Sequence, residues 1–353
     1  MDIKSRFNEK LSKLLFIEIK ADTKIGECIL KKGIYVPIKA NEVADNVEKG
    51  EDFKNIPLKH LIEGMFYVLG ADSEFRYNNE YKNILKSLEE STYFIKGRIA
   101  NLVSDDELEE AYILLKGLIT IEQSNENLEK AYLILENLRS LDEMFEFEEL
   151  SLIDMGKKTE GFSSPYLYES LILRDKKDFQ GALHSLNLYI SLGGKETSEV
   201  IEFKQSLSSI NQYEKGKMLV DEDPTAALKI LLPLIEYFTD SAEVFYYVAV
   251  AYRNLENFEK AIYYLNEAFT IDDGLIEVIN EYGINYASLQ DYERAILYFK
   301  KAFEATKSVE ICTNIIMCYL NLGNMEEAKN HMEIATRLDP KDEIVSELKN
   351  YIK

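Results

Sequence analysis

Residues 257–269 read NFEKAIYYLNEAF, residues 291–303 read DYERAILYFKKAF, and residues 324–336 read NMEEAKNHMEIAT. The steps between them are 34 and 33 residues, which makes this a period and not a chance likeness. Aligned on Ala261, Ala295 and Ala328, the copies bring Ala268, Ala302 and Ala335 into register seven residues on, with Leu265, Phe299 and Met332 between. Small residues two turns apart on one helical face let a neighbouring helix come close, and the larger residue between them fills the groove beside it.

Upstream of each copy runs a second helical pattern, in which Tyr252, Tyr286 and Tyr319 are followed three residues later by Leu255, Leu289 and Leu322. The links between the two helices read ENF, QDY and GNM, and Phe258, Tyr292 and Met325 are placed to plug the space under the turn. A lone pair of such helices cannot cover its apolar faces, so each pair must stack on the next.

These residues resemble the tetratricopeptide repeat family. Phe245, Val248, Ala249 and Tyr252 follow its first-helix pattern, as do Ile279, Tyr282, Gly283 and Tyr286, and then Cys312, Ile315, Ile316 and Tyr319, with Asp339-Pro340 closing the third unit. The chain departs from the family pattern in having no tryptophan and in keeping the glycine and the closing proline in one unit each. The resemblance implies an all-α fold, a right-handed solenoid of helical pairs whose first helices line a concave side.

Three rows of residues share the phase of that side: Tyr246, Asn280 and Thr313; Val250, Ile284 and Met317; Asn254, Ser288 and Asn321. Arg253 stands beside them among Ala287 and Leu320. A groove with an apolar floor and amide or hydroxyl sides suits an extended peptide held by its backbone. For the row Val250, Ile284 and Met317, packing between helices is an equal alternative. Glu243, Glu277 and Glu310 fall in the first turn of each first helix, where the helix dipole alone accounts for them. Family members that grip a C-terminal carboxylate use cationic side chains on this face. Tyr246, Val250, Glu281, Glu310 and Asn314 supply no such clamp, which argues against that mode.

Degenerate copies precede the clear ones. DFQGALHSLNLYISL around Ala182 and DPTAALKILLPLIEYF around Ala227 are 45 residues apart on their alanines, so an insertion or extra helical turns must lie near 194–207. ELEEAYILLKGLI (107–119) and NLEKAYLILENLR (127–139) are too close for a full pair between them and read as consecutive helices of an irregular array. After Pro340, KDEIVSELKNYIK sets Ile344, Val345, Leu348 and Ile352 on one face and reads as a capping helix.

The first forty residues differ in character. They carry nine Lys/Arg against five Asp/Glu, while the rest holds 32 basic and 58 acidic residues, so the two parts should attract. Ile3, Phe7, Leu11, Leu14 and Leu15 lie at helical spacing over residues 2–19, with Lys4, Arg6, Lys10 and Lys13 off the stripe. This basic amphipathic helix is expected to pack on its own chain in preference to a membrane surface. GECILKKGIYVPI suggests a short hairpin turning at KKG. The expected organisation is a small mixed N-terminal cap over 1–56, degenerate helical repeats over 57–207, the repeat array over 208–342 and a capping helix over 343–353.

The formal charge of −22 repels nucleic-acid phosphates and anionic lipid and favours a neutral or basic protein or peptide partner. The absence of a long apolar run and of a secretory leader predicts a cytoplasmic chain. Cys28, Cys312 and Cys318 include no CxxC pair and read as buried thiols. His60, His184 and His331 are isolated from one another, so no metal site is expected. Gly193-Gly194 reads as a helix terminator, because it lacks the flanks of a phosphate loop. The acidic runs DDELEE (105–110) and DEMFEFEE (142–149) read as solvated helix starts. No catalytic constellation and no cofactor motif is present. The function expected is a non-catalytic adaptor holding a partner segment in the groove. The alternative is a ligand- or peptide-responsive regulator in which the basic N-terminal segment docks on the acidic repeat array.

Overall fold

The computed structural model describes residues 2–25, 28–40 and 57–351. By backbone proximity the chain divides into two compact units, Met1–Ile201 and Glu202–Lys353, and the division falls inside one helix, Ser198–Leu219. The fold is a helical-pair solenoid with a small mixed N-terminal cap, as the sequence predicts.

In the first unit, α1 (Ile3–Leu11) is followed by β1 (Leu14–Glu18), β2 (Thr23–Ile25), β3 (Cys28–Leu30) and β4 (Tyr35–Lys39). The N-terminal helix is therefore shorter than the sequence pattern suggests. Beyond Ser12 the β-prone run LLFIE pairs antiparallel with β4, Leu14 opposite Lys39. Leu14 turns inward while Leu15 is half exposed.

The expected hairpin is met in its strands and its turn but not in its pairing. Gly33 occupies the left-handed region at φ +88°, and its amide donates to the Ile19 carbonyl at 2.8 Å. However, β4 pairs with β1, and β3 pairs with β2, so KKG joins two separate two-stranded sheets.

Helices α2 (Leu58–Ala71), α3 (Asn78–Ser87), α4 (Ser91–Ser104), α5 (Leu108–Ile121), α6 (Asn125–Leu141), α7 (Glu146–Gly156), α8 (Ser164–Asp175) and α9 (Phe179–Ser191) complete this unit. As expected, α5 and α6 are consecutive packed helices, with Ala111 and Ala131 wholly buried. Gly193, at φ +84°, and Gly194 end α9, the Gly194 amide returning to the Tyr189 carbonyl at 2.9 Å.

The basic helix α1 packs on its own unit. Phe7 is buried against Tyr112, and Arg6 donates to both carboxylate oxygens of Glu109 at 2.9 and 2.7 Å and to Asp142 at 3.2 Å. Lys10 and Lys39 both reach Glu110, at 2.8 and 3.4 Å. The expected attraction of opposite charges is thus satisfied locally.

After α10 (Ser198–Leu219), the second unit holds α11 (Pro224–Leu234), α12 (Ala242–Asn254), α13 (Phe258–Ile271), α14 (Ile276–Ser288), α15 (Tyr292–Thr306), α16 (Val309–Asn321), α17 (Met325–Leu338) and α18 (Glu343–Tyr351). The 22-residue α10 takes up the extra residues between the anchoring alanines 182 and 227.

The period is rebuilt as one local device. Glu256, Gln290 and Gly323 sit in the left-handed region at φ +58°, +63° and +71°. The next amides, those of Asn257, Asp291 and Asn324, return to the carbonyls of Tyr252, Tyr286 and Tyr319, each at 2.9 Å. The side chains of the same three residues then cap the following helix, accepting from Lys260, Arg294 and Glu327 amides. One dipeptide therefore ends one helix and starts the next.

All six anchoring alanines, Ala261, Ala268, Ala295, Ala302, Ala328 and Ala335, have no exposed surface. At the expected plug, Phe258 and Tyr292 are partly buried, but Met325 is 46% exposed. On α18, Val345 and Leu348 pack inward as expected, whereas Ile344 is 49% exposed and Ile352 lies outside the described residues.

Candidate functional site

The first helices α12, α14 and α16 carry the ten candidate residues, and the structure sorts them by what each touches. Val250 and Thr313 are buried, the Thr313 hydroxyl donating to the Glu310 carbonyl at 2.7 Å. Tyr246 is half-buried against Tyr247, with ring centroids 5.0 Å apart, and burial pushes its hydroxyl up to about 12.

Arg253 donates through Nε to Glu281, a carboxylate only 3% exposed. Burial raises Glu281 above the ordinary carboxylate value, and Arg253 and the Asn285 amide pull the other way. Asn285, fully buried, donates to the Glu281 carbonyl at 2.8 Å and to its carboxylate at 3.2 Å. The side-chain oxygens of Asn280 and Asn285 are buried without a hydrogen-bond donor among the described residues. Asn254 is likewise engaged inside the unit, donating to the Val220 carbonyl at 2.9 Å and to Asp221 at 3.0 Å.

The remaining four candidates face open space together. Ile284, Ser288, Met317 and Asn321 line a groove of about 320 Å³, with Tyr292, Asn314 and Cys318 among its other walls. Ser288 and Asn321 each donate to the carbonyl one turn back, on Ile284 and Met317, at 2.9 and 2.8 Å. Their remaining polar capacity points outward from an apolar floor. The row Val250, Ile284, Met317 is graded from buried through partly buried to 45% exposed.

A second groove, of about 660 Å³, adjoins the first through Asn314, Met317 and Asn321. Its far wall is Ile344, Glu347, Leu348 and Tyr351 of α18. Sequence reasoning assigned no site residue on α18, although these four fall at i, i+3, i+4 and i+7 and so share one helical face. That spacing was the available signal, and it was masked by reading the helix only as a cap.

Cys318 is 3% exposed and Cys312 fully buried, and burial pushes both thiols up to about 11. The Cys28 side chain lies outside the described residues. His331 packs at a tilt on Tyr319, ring centroids 5.3 Å apart, in the place that Tyr264 and Tyr298 take beside Tyr252 and Tyr286. Among the described residues no group of three or more His, Cys, Asp and Glu side chains is placed to hold a metal ion. None of the described helices is long and apolar enough to cross a membrane.

The tetratricopeptide repeat model matches residues 242–274, 276–308 and 309–342. Comparison with curated proteins finds no match. Among solved structures, MamA is similar at 20% identity and a TM-score of 0.38, over 51% of this chain and 92% of its own. YrrB, described as a TPR protein with an unusual peptide-binding site, is similar at 17% identity and 0.40, over 56% and 96%. A thermophilic TPR protein of Thermus thermophilus, TTC0263, is similar at 18% identity and 0.33, over 54% and 98%.

Proposed function

We propose that this chain, in which three consecutive stretches over residues 242–342 match the tetratricopeptide repeat model, is a non-catalytic adaptor that holds a partner's peptide segment on its first helices. The observation that carries the reading is the set Ile284, Ser288, Met317 and Asn321, which lines one open groove on successive repeats. Ile284 and Met317 offer apolar contact, and the Ser288 hydroxyl and Asn321 amide offer hydrogen bonds to a peptide backbone. Among the described residues no lysine or arginine lines the groove, and Arg253 on α12 is held by Glu281. A neutral or basic segment therefore fits better than an acidic one.

Affinity capture with the intact protein beside Met317→Arg tests this. Met317 is 45% exposed, so a long polar side chain there leaves the core intact. Partners held by the intact protein should be lost by the variant at unchanged helicity. Equal capture by both would place the contact elsewhere.

A further inference from the structure

The second groove has a composition of its own. Ten residues line it: Met317, Leu320, Ile344, Leu348 and Tyr351 are apolar or aromatic, Thr313, Asn314 and Asn321 are neutral and polar, and the only charged residues are Glu310 and Glu347. Among the described residues no lysine or arginine contributes to the wall. Neither carboxylate has a cationic partner among the described residues, in contrast to Glu281, which Arg253 neutralises in the same unit.

The apolar part is also unusually open. Met317, Ile344 and Tyr351 are 45%, 49% and 78% exposed along one trough. A contiguous apolar strip of this kind is what a partner surface looks like, and scattered exposed side chains are not. Its geometry follows from the sequence. The face Glu310, Thr313, Asn314, Met317 of α16 and the face Ile344, Glu347, Leu348, Tyr351 of α18 both run i, i+3, i+4, i+7, and line opposite sides of the trough. Val345 and Leu348 of α18 are buried against the stack at 1% and 8% exposure, so these two hold the helix in place while Ile344 and Tyr351 stay open.

We infer that this trough between α16 and α18 is a specificity site for a cationic partner segment, one apolar side chain entering over Met317 and Ile344 while neighbouring lysines or arginines meet Glu310 and Glu347. The inference deepens the proposed function and rests on it. The occupant is a peptide segment of another protein, selected by charge. An acidic segment meets two uncompensated carboxylates, and a second copy of this chain brings its own share of a −22 charge to the contact.

A random twelve-residue peptide library displayed on phage and selected on the full chain supplies the probes, and fluorescence anisotropy of the labelled winners supplies the affinities. Winners should carry lysine or arginine around an apolar residue, weaken at raised salt, and lose about tenfold affinity on the double variant Glu310→Gln, Glu347→Gln. Ile344→Ser should weaken them as well. Both glutamates and Ile344 are exposed on the surface, and unchanged helicity and melting of the variants confirm that the fold is kept. Acidic or uncharged winners, indifference to the double variant, or no winners would each overturn the inference. Dimerisation of the chain abolished by Ile344→Ser would overturn it too, by making a second copy the occupant. Winners that respond to Met317→Arg but not to Glu310, Glu347 or Ile344 leave the adaptor reading standing and remove this one. Winners indifferent to all four positions remove both.

Discussion

Asn254 on α12 donates its side-chain amide to the Val220 carbonyl, 2.9 Å away in the turn between α10 and α11, and to Asp221 at 3.0 Å. A side chain that the sequence marks as facing a ligand is thus clasping the next element of its own stack. Arg253 beside it is engaged as fully, by the buried Glu281. Replacing either residue tests the integrity of the array before it tests partner capture.

Arg253→Met is expected to destabilise the chain by ~2–3 kcal/mol at neutral pH, because it leaves the Glu281 carboxylate buried without its cation; the cost falls short of a wholly buried pair because Arg253 is partly exposed. The pH dependence has a definite sign. Glu281 binds its proton more tightly folded than unfolded, so its contribution favours the fold at low pH and is lost as pH rises through the folded value. The deficit of the variant should therefore shrink on acidification, as urea unfolding followed by circular dichroism would show. A deficit independent of pH would mean that Arg253 acts through packing alone.

Glu149 sets a second pH test in the first unit. It is fully buried on α7, paired with Arg139 at 2.8 Å, and burial outweighs the pair to raise it from 4.5 to about 7. Between those values the folded state holds the proton and the unfolded state releases it, so stability from this group is present below the window and lost as pH rises through it. Glu149→Gln should flatten the fall by up to ~1.4 kcal/mol per pH unit. Arg139 keeps Asp175 at 2.6 Å in the variant. Parallel stability curves for the two proteins between the two values would contradict the assignment.

The repeat spacing and its alanines made the stack legible before any coordinates, because a side chain's size at a helix crossing is a local property of sequence. Ala295 has no exposed surface and shares its core with Ile279 and Phe299. Ala295→Leu should cost ~1–3 kcal/mol by overpacking. Ala305, exposed on the same helix, should accept leucine with little change. Equal melting of both variants would show that Ala295 is not a tight contact.

Other features were not legible, for a physical reason in each case. The strands β3 and β4 could be placed from their composition, but which strand pairs with which depends on β1, whose LLFIE run carries helical and strand periodicities at once over so few residues. The polar residues of the groove could be placed on a face by phase, but phase does not say whether a neighbour's carbonyl or carboxylate reaches them. That separated Asn254 and Arg253 from Asn321 and Ser288 only in three dimensions. Ile344 was placed on the correct helix and misjudged in burial, since Val345 and Leu348 turn to the stack while Ile344 stays open beside them.

Gly70 and Gly117 escaped sequence reasoning altogether, because a glycine inside a helix advertises nothing about what crosses it. A Cβ on Gly117 would lie 2.0 Å from the Phe66 carbonyl oxygen, and one on Gly70 would lie 1.8 Å from that of Ile113. Both obstacles are backbone, so α2 and α5 would have to move apart. The glycine pair therefore allows a closer crossing than alanines permit, in the core that also supports α1. Gly97, in the middle of α4, meets nothing within 4 Å where a Cβ would stand. The same substitution should then act in opposite directions. Gly97→Ala should stabilise by ~0.5–1 kcal/mol through helix propensity. Gly117→Ala, which gains the same propensity, should still destabilise by ~2 kcal/mol or more through the forced separation of helices. Chemical denaturation of the two variants beside the parent reads the difference directly, and stabilisation by both would show that α2 and α5 do not meet backbone to backbone.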